Sequence, residues 1–194
     1  MLVILIWGIT FVNTRALLGD FSALEILLGR FALAWAALWL VGPRQFVKKC
    51  RGDEWLFAAM GFCGVFFYQF LENCAIYYTN ASNVAIFVSF GPIATAALAR
   101  VFMKDRSMSA ALLIGSLIAI VGVALVSMNG VVNLHLRPLG DLMALGAMVS
   151  WGFYSLLIDK ANEKGYPPGY VIRKAFGWSL IMMLPLCVWG VTEV

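Results

Sequence analysis

The stretch "SWGFYSLLIDK", residues 150–160, echoes "IWGITFVNTR", residues 6–15, and the relation between the two decides the fold. Trp7 and Trp151 stand 144 positions apart, so the sequence between them fixes how the copies are oriented. That sequence is almost wholly apolar: 62% of the chain is hydrophobic and 12% charged, with a mean hydropathy of +0.89. A soluble domain carries about 25% charged residues, so this composition places the chain in a membrane. A spanning helix needs about 20 mostly apolar residues at about 1.5 Å each. Seven runs qualify: 2–18, 22–42, 55–73, 82–102, 109–128, 139–158 and 171–191. β-Barrel strands would read as short alternating segments instead. The expected fold is therefore all-α and polytopic, and any function is carried by the helices themselves.

Five spans separate the start of "IWG" from the start of "SWG". Five is odd, so the second copy runs in the opposite direction through the membrane. The same offset lays Arg30, in span 2, on Lys174, in span 7, giving each copy a cation early in its second helix. An inverted repeat of this kind marks secondary transporters, whose halves rock about a site near the midplane. The division expected is a five-helix repeat over residues 1–130 and the first two helices of an inverted repeat over 137–194.

Lys and Arg concentrate in cytoplasmic loops. Arg44, Lys48, Lys49 and Arg51 follow span 2, Lys104 and Arg106 follow span 4, and Lys160 and Lys164 follow span 6, with Arg173 and Lys174 entering span 7. The alternate loops hold little beyond Arg15 and Arg137. The N-terminus is thus expected in the cytoplasm of a cell whose inner membrane the chain crosses repeatedly. The net charge of +4 is this asymmetry and not a nucleic-acid surface, since the basic residues are scattered over three turns. A secretory leader is the alternative for the first span, but "LVILIWGITF" has no basic segment before it and no small-x-small cleavage site. Cys50, Cys63, Cys74 and Cys187 form no C-x-x-C pair and no zinc set with His135, so neither metal nor cofactor is implied.

Through "IWGITFVNTRALL", "EILLGRFALAWAAL" and "AIYYTNASNVAIFVSFGPIATAALARVFMKDR" the sequence resembles the EamA family of the drug/metabolite transporter superfamily. "IWGITFVNTRALL" is similar to the family's first-helix opening through Trp7, Gly8 and Phe11, and "EILLGRFALAWAAL" to its second-helix Arg-Phe element through Arg30 and Phe31. The most specific likeness is "AIYYTNASNVAIFVSFGPIATAALARVFMKDR", which matches at Ala75, Tyr78, Thr79, Ala81, Ser82 and Pro92. It departs at Met103-Lys104-Asp105, where the family has Leu-Gly-Glu. "LLIGSLIAIVGVALV" and "GDLMALGAMVSWGFYSLL" resemble the fifth helix and the start of the second repeat. The resemblance implies a ten-helix exporter of small metabolites or amino acids. It also implies that helices 8 to 10 lie outside this chain, which alone is then expected to carry no saturable flux and to recover it only when three further helices are restored or supplied by a partner chain, a second copy being the oligomeric alternative.

Polar groups in hydrocarbon are costly unless they face other helices or water, so they point to the interior. In span 3, Tyr68 and Glu72 are one turn apart on one face, with Gln69 and Asn73 on the adjoining stripe. In span 4, Ser82, Ser89 and Pro92 lie on a small, polar strip that reads either as helix packing or as cavity lining. Arg30 sits deep in its helix and needs a partner, for which Glu72 is the candidate. Trp7, Trp151 and Tyr154 are candidates for the cavity flank, and interfacial anchoring is their alternative reading. Glu25 is expected to be solvated, and Gly115, Ala119 and Gly122 to form a close-packing face. The partners expected are the bilayer and a small-molecule substrate. A structural bundle or a membrane enzyme is the competing class, but an enzyme would need clustered catalytic side chains that the sequence does not show.

Overall fold

A computed structural model describes residues 16–41, 52–103, 109–128 and 137–188, together with Ile9, Asn13 and Thr14. Most of the described residues are helical. They comprise α1 (Ala23–Val41), α2 (Glu54–Tyr78), α3 (Ala81–Ser89), α4 (Gly91–Phe102), α5 (Ala110–Met128), α6 (Pro138–Glu163) and α7 (Pro168–Val188). Most of span 1, including Trp7, lies outside the described residues.

Local chemistry sets the boundaries. Ser22 and Glu25 cap α1 reciprocally: the Ser22 amide donates to Glu25 Oε2 at 2.9 Å and the Glu25 amide to Ser22 Oγ at 3.3 Å. Glu25 is exposed there. Pro138 opens α6, where a missing amide costs nothing. Gly165, at φ +75°, closes that helix in the left-handed conformation that favours glycine. The Tyr166 amide then reaches back to the Ala161 carbonyl and the Gly165 amide to that of Asn162. Span 4, expected as one helix, is two, broken at Phe90. Pro92 explains the break, because it has no amide to give Val88 and its ring crowds that carbonyl. Span 3 continues five residues beyond the expected end, since α2 runs through Cys74-Ala75-Ile76-Tyr77 to Tyr78.

α2 is the central helix. It packs against α1, α6 and α7, while α3 and α4 lie on α6, and α5 lies on α3. The larger apolar cluster draws Leu24, Leu27 and Phe31 from α1, Phe57 and Met60 from α2, Tyr154 from α6, and Ala175 and Met183 from α7. A smaller one joins Ala75, Val84 and Ala144. α1 and α7 run antiparallel, since Phe31 meets Phe176 at 5.1 Å while Trp39, further along α1, meets Arg173, earlier in α7, at 4.5 Å. Arg173 is thus buried against Trp39 and does not serve as a loop charge.

Burial is reversed from that of a water-soluble domain. Leu33, Leu40, Ile118 and Leu125 are 75%, 83%, 68% and 68% exposed, whereas Glu72, Asn73, Asp141, Ser150 and Ser179 are buried. Glu54–Tyr78, Pro138–Glu163 and the run Asn83–Phe102, which α3 and α4 make up together, are long and apolar enough to cross a membrane, and Ala110–Leu125 is a shorter apolar helix. Lipid gives apolar side chains no reason to cluster, so helices adhere where small residues allow close approach. Gly61 and Gly64 do this in α2, lying against Ala175 of α7 and the Tyr154 ring of α6.

Candidate functional site

The middle of α2 is not a regular α-helix. Gly61–Phe67 form a π-helical segment, a form that is rare and recurs at functional positions. Immediately beyond it the buried Tyr68 hydroxyl donates to Glu72 Oε1 at 2.6 Å. The Tyr68 ring lies 5.0 Å from that of Trp151 on α6, and Trp151 lies 5.2 Å from Tyr154. A carboxylate, a phenol and two further aromatic rings therefore meet at the α2–α6 contact. Asn73, 1% exposed, has an amide nitrogen with no partner among the described residues. A buried donor left open costs free energy unless something accepts from it. Gln69 is half-buried beside them.

Arg30 is not ion-paired to Glu72, as the sequence led us to expect. Its Nη1 donates to Thr14 Oγ1 at 3.3 Å, and Glu72 is held by Tyr68. Two hydroxyls thus take the hydrogen bonds that the two charges were expected to exchange. In span 4, Ser89 spends its hydroxyl on the Ile86 carbonyl of its own helix at 2.6 Å. Pro92 is exposed at the start of α4, so neither joins the α2–α6 cluster. The Ser82 side chain lies outside the described residues, as do His135, Cys50 and Cys187. Gly115 and Gly122 have no neighbour within 4 Å of an added Cβ. The buried small residue of α5 is Ser116, so within the described residues the expected glycine face packs against nothing.

Two further networks escape a reading of the sequence alone. At one end of the bundle, Asp141 of α6 accepts from Thr79 Oγ1 at 3.2 Å and from the Arg137 amide at 2.9 Å, while Asn83 Nδ2 donates to Thr79 Oγ1 at 3.2 Å. An acid one turn inside a proline-started helix was the available signal. Beside this network is a cleft of about 380 Å³ lined by Leu18, Gly19, Ile76–Asn80 and Arg137. At the opposite end, Asp53 accepts from Lys164 and, at 2.6 Å, from the Tyr166 hydroxyl. Glu54 there accepts from Lys174 at 2.6 Å and from Trp178 Nε1 at 3.1 Å. The Lys164 and Tyr166 hydrogen bonds hold the Asp53 carboxyl below its ordinary pKa. The turns before α2 and after α6 therefore share one end, and those before α3 and α6 share the other.

The geometry offers acceptors at Glu72, an open donor at Asn73 and an aromatic wall, on two helices long and apolar enough to cross a membrane, with a cation at Arg30 on the neighbouring α1. Such a set can hold and release a small polar solute. The sequence model of the EamA-like transporter family matches residues 1–128. Among curated proteins, the uncharacterized transporter YyaM of Bacillus subtilis (strain 168) is 29% identical over 167 residues, covering 82% of this chain and 54% of its own length. The uncharacterized transporter YvbV of the same organism is 24% identical over 168 residues, 83% of this chain and 52% of its own length. The chain spans about half the length of the curated relatives it matches. No solved structure matches it.

Proposed function

The chain belongs to the EamA-like transporter family, and from that premise we propose that it forms part of the solute path of a secondary transporter for small metabolites or amino acids, working by alternating access. It is a multi-pass membrane protein, and its family and relatives point to transport rather than to an enzyme. The observation that carries the proposal is the α2–α6 cluster, in which buried Glu72 and Asn73 share a helix with Tyr68, whose ring meets Trp151. These side chains are larger and more polar than packing requires, and polar groups persist in hydrocarbon where they meet water or solute. The inverted second copy is supported by the antiparallel α1 and α7. The cytoplasmic N-terminus is supported by the loop cations, and Asp53 and Lys164 then lie on the inner side.

The test is solute counterflow in reconstituted vesicles, run on this sequence continued to the length of its relatives with a panel of amino acids and small metabolites. Saturable flux of at least one solute, lost in Glu72→Gln, is the expected result. Leak that rises linearly with concentration for every solute and ignores the substitution would overturn the proposal.

A further inference from the structure

We infer that Ser150 is a positioning residue for the solute cluster: its hydroxyl locks the π-helical register of α2 that aims Tyr68 and Glu72 at Trp151. The inference rests on the transport reading for its functional meaning, but its geometry stands apart from it. The Cys63 carbonyl is the pivot. It accepts the Tyr68 amide across the π turn and the Ser150 hydroxyl of α6 at 2.7 Å, so both of its lone pairs are in use. In an α register it would instead accept from Phe67, four residues on.

A π turn closes its ring with one residue more than an α turn, and one residue is a rotation of about 100° about the helix axis. If Gly61–Phe67 reverted to α geometry, everything beyond would turn by about that amount relative to α6. The Tyr68–Glu72 bond would survive, since both residues ride on the same helix, but the 5.0 Å contact of Tyr68 with Trp151 would not. Ser150 opposes this because it is 5% exposed, and without the Cys63 carbonyl its hydroxyl would have to give up an inter-helix bond and fall back on a carbonyl of its own helix, as Ser155 does. Gly61 and Gly64, within the same segment, bring α2 close enough to α7 and α6 for that bond to form. Ser155 supplies a control: it lies on the same helix but gives its hydroxyl to the Trp151 carbonyl behind it at 3.0 Å.

The experiment uses the 194-residue chain, purified and stripped of native cysteines, with a single cysteine at Ile76→Cys or Tyr77→Cys. Both positions line the cleft at the far end of α2, yet Ile76 is 6% exposed and Tyr77 59%. The ratio of their alkylation rates by a water-soluble maleimide therefore reports the rotation of α2. Ser150→Ala is expected to raise the rate at 76 relative to that at 77 by about five- to tenfold, the effect of one lost hydrogen bond on the register equilibrium. Ser150→Thr, which keeps the hydroxyl, and Ser155→Ala should both leave the native ratio. An unchanged ratio in Ser150→Ala, or an equal change in Ser155→Ala, would overturn the inference. Should Ser150→Ala fail to fold, Ser150→Gly carries the test, since it also removes the hydroxyl and adds no second thiol. A shift smaller than fivefold but in the same direction supports the lock, and no shift refutes it. Solute flux is read separately, so a labelling shift without flux in any variant would count against the transport reading and not against the register lock.

Discussion

Replacing Gly64 by alanine puts one methyl group where the structure has no room for it. A Cβ built there falls 2.2 Å from both Cγ and Cδ2 of Tyr154 and 2.7 Å from Cδ1, against an ordinary contact beginning at 3.4 Å. The shortfall of 1.2 Å (3.4 − 2.2) must be made up by moving α2 or the base of a buried ring, and neither is the free end of a flexible chain. Overpacking of this kind costs about 1–3 kcal/mol, and disturbing the Tyr154–Trp151 ring contact adds about 0.5–1.5 kcal/mol. Gly115→Ala is the matched control, because nothing lies within 4 Å of its added Cβ. Alanine is the better helix former by up to about 1 kcal/mol, so the control should be neutral or stabilising. Unfolding of the purified protein, followed by circular dichroism, should separate the two variants by about 2–4 kcal/mol. Stabilities within about 0.5 kcal/mol of each other would refute the claim that helix contact at Gly64, and not at Gly115, holds the bundle.

Three further outcomes are expected. Thr79→Val removes the hydroxyl between Asp141 and Asn83 and should destabilise the protein by about 1–3 kcal/mol in the same assay, because a buried carboxylate loses a donor. The Asp53 carboxyl has a folded pKa below its usual value of 3.8, so its bonds to Lys164 and Tyr166 contribute fully above that value and fade as pH falls through the depressed folded one. Asp53→Asn should accordingly lower stability at neutral pH and flatten its fall below about pH 4 in an acid-unfolding titration. For topology, a lone cysteine at Lys48 should resist membrane-impermeant reagent applied from outside while one at His135 reacts, and the reverse pattern would invert the orientation.

The helices were legible because each rests on many residues at once. The runs 22–42 and 109–128 reappear as Ala23–Val41 and Ala110–Met128, since hydropathy summed over a span outweighs any single position. The Tyr68–Glu72 contact was legible for the same kind of reason, because four-residue spacing fixes a shared face. The partner of Arg30 was not, because charge predicts attraction but not which hydroxyl stands nearer. Nor did the sequence tell Gly61 and Gly64, which are packed, from Gly115 and Gly122, which are not: a glycine looks the same whichever way its missing side chain would point. Ser150 was hidden likewise, since a serine in a spanning helix usually satisfies itself, as Ser155 does. Only the π-helical carbonyl of Cys63, a tertiary feature, gives Ser150 a different task.

The central claim, that α2 presents Tyr68, Gln69 and Glu72 to a hydrated solute path at α6, is tested most directly by thiol labelling along about two turns of that helix. Single cysteines at positions 62, 66 and 69 sample the exposed ring of Phe62, the core-packed ring of Phe66 and the half-buried Gln69. With a small, charged, water-soluble thiol reagent on the protein in bilayers, the cysteine at 69 should react about tenfold faster than those at 62 and 66, because only a hydrated thiol ionises and meets the reagent. Equal protection at all three positions would contradict the account and leave the cluster as a packing contact.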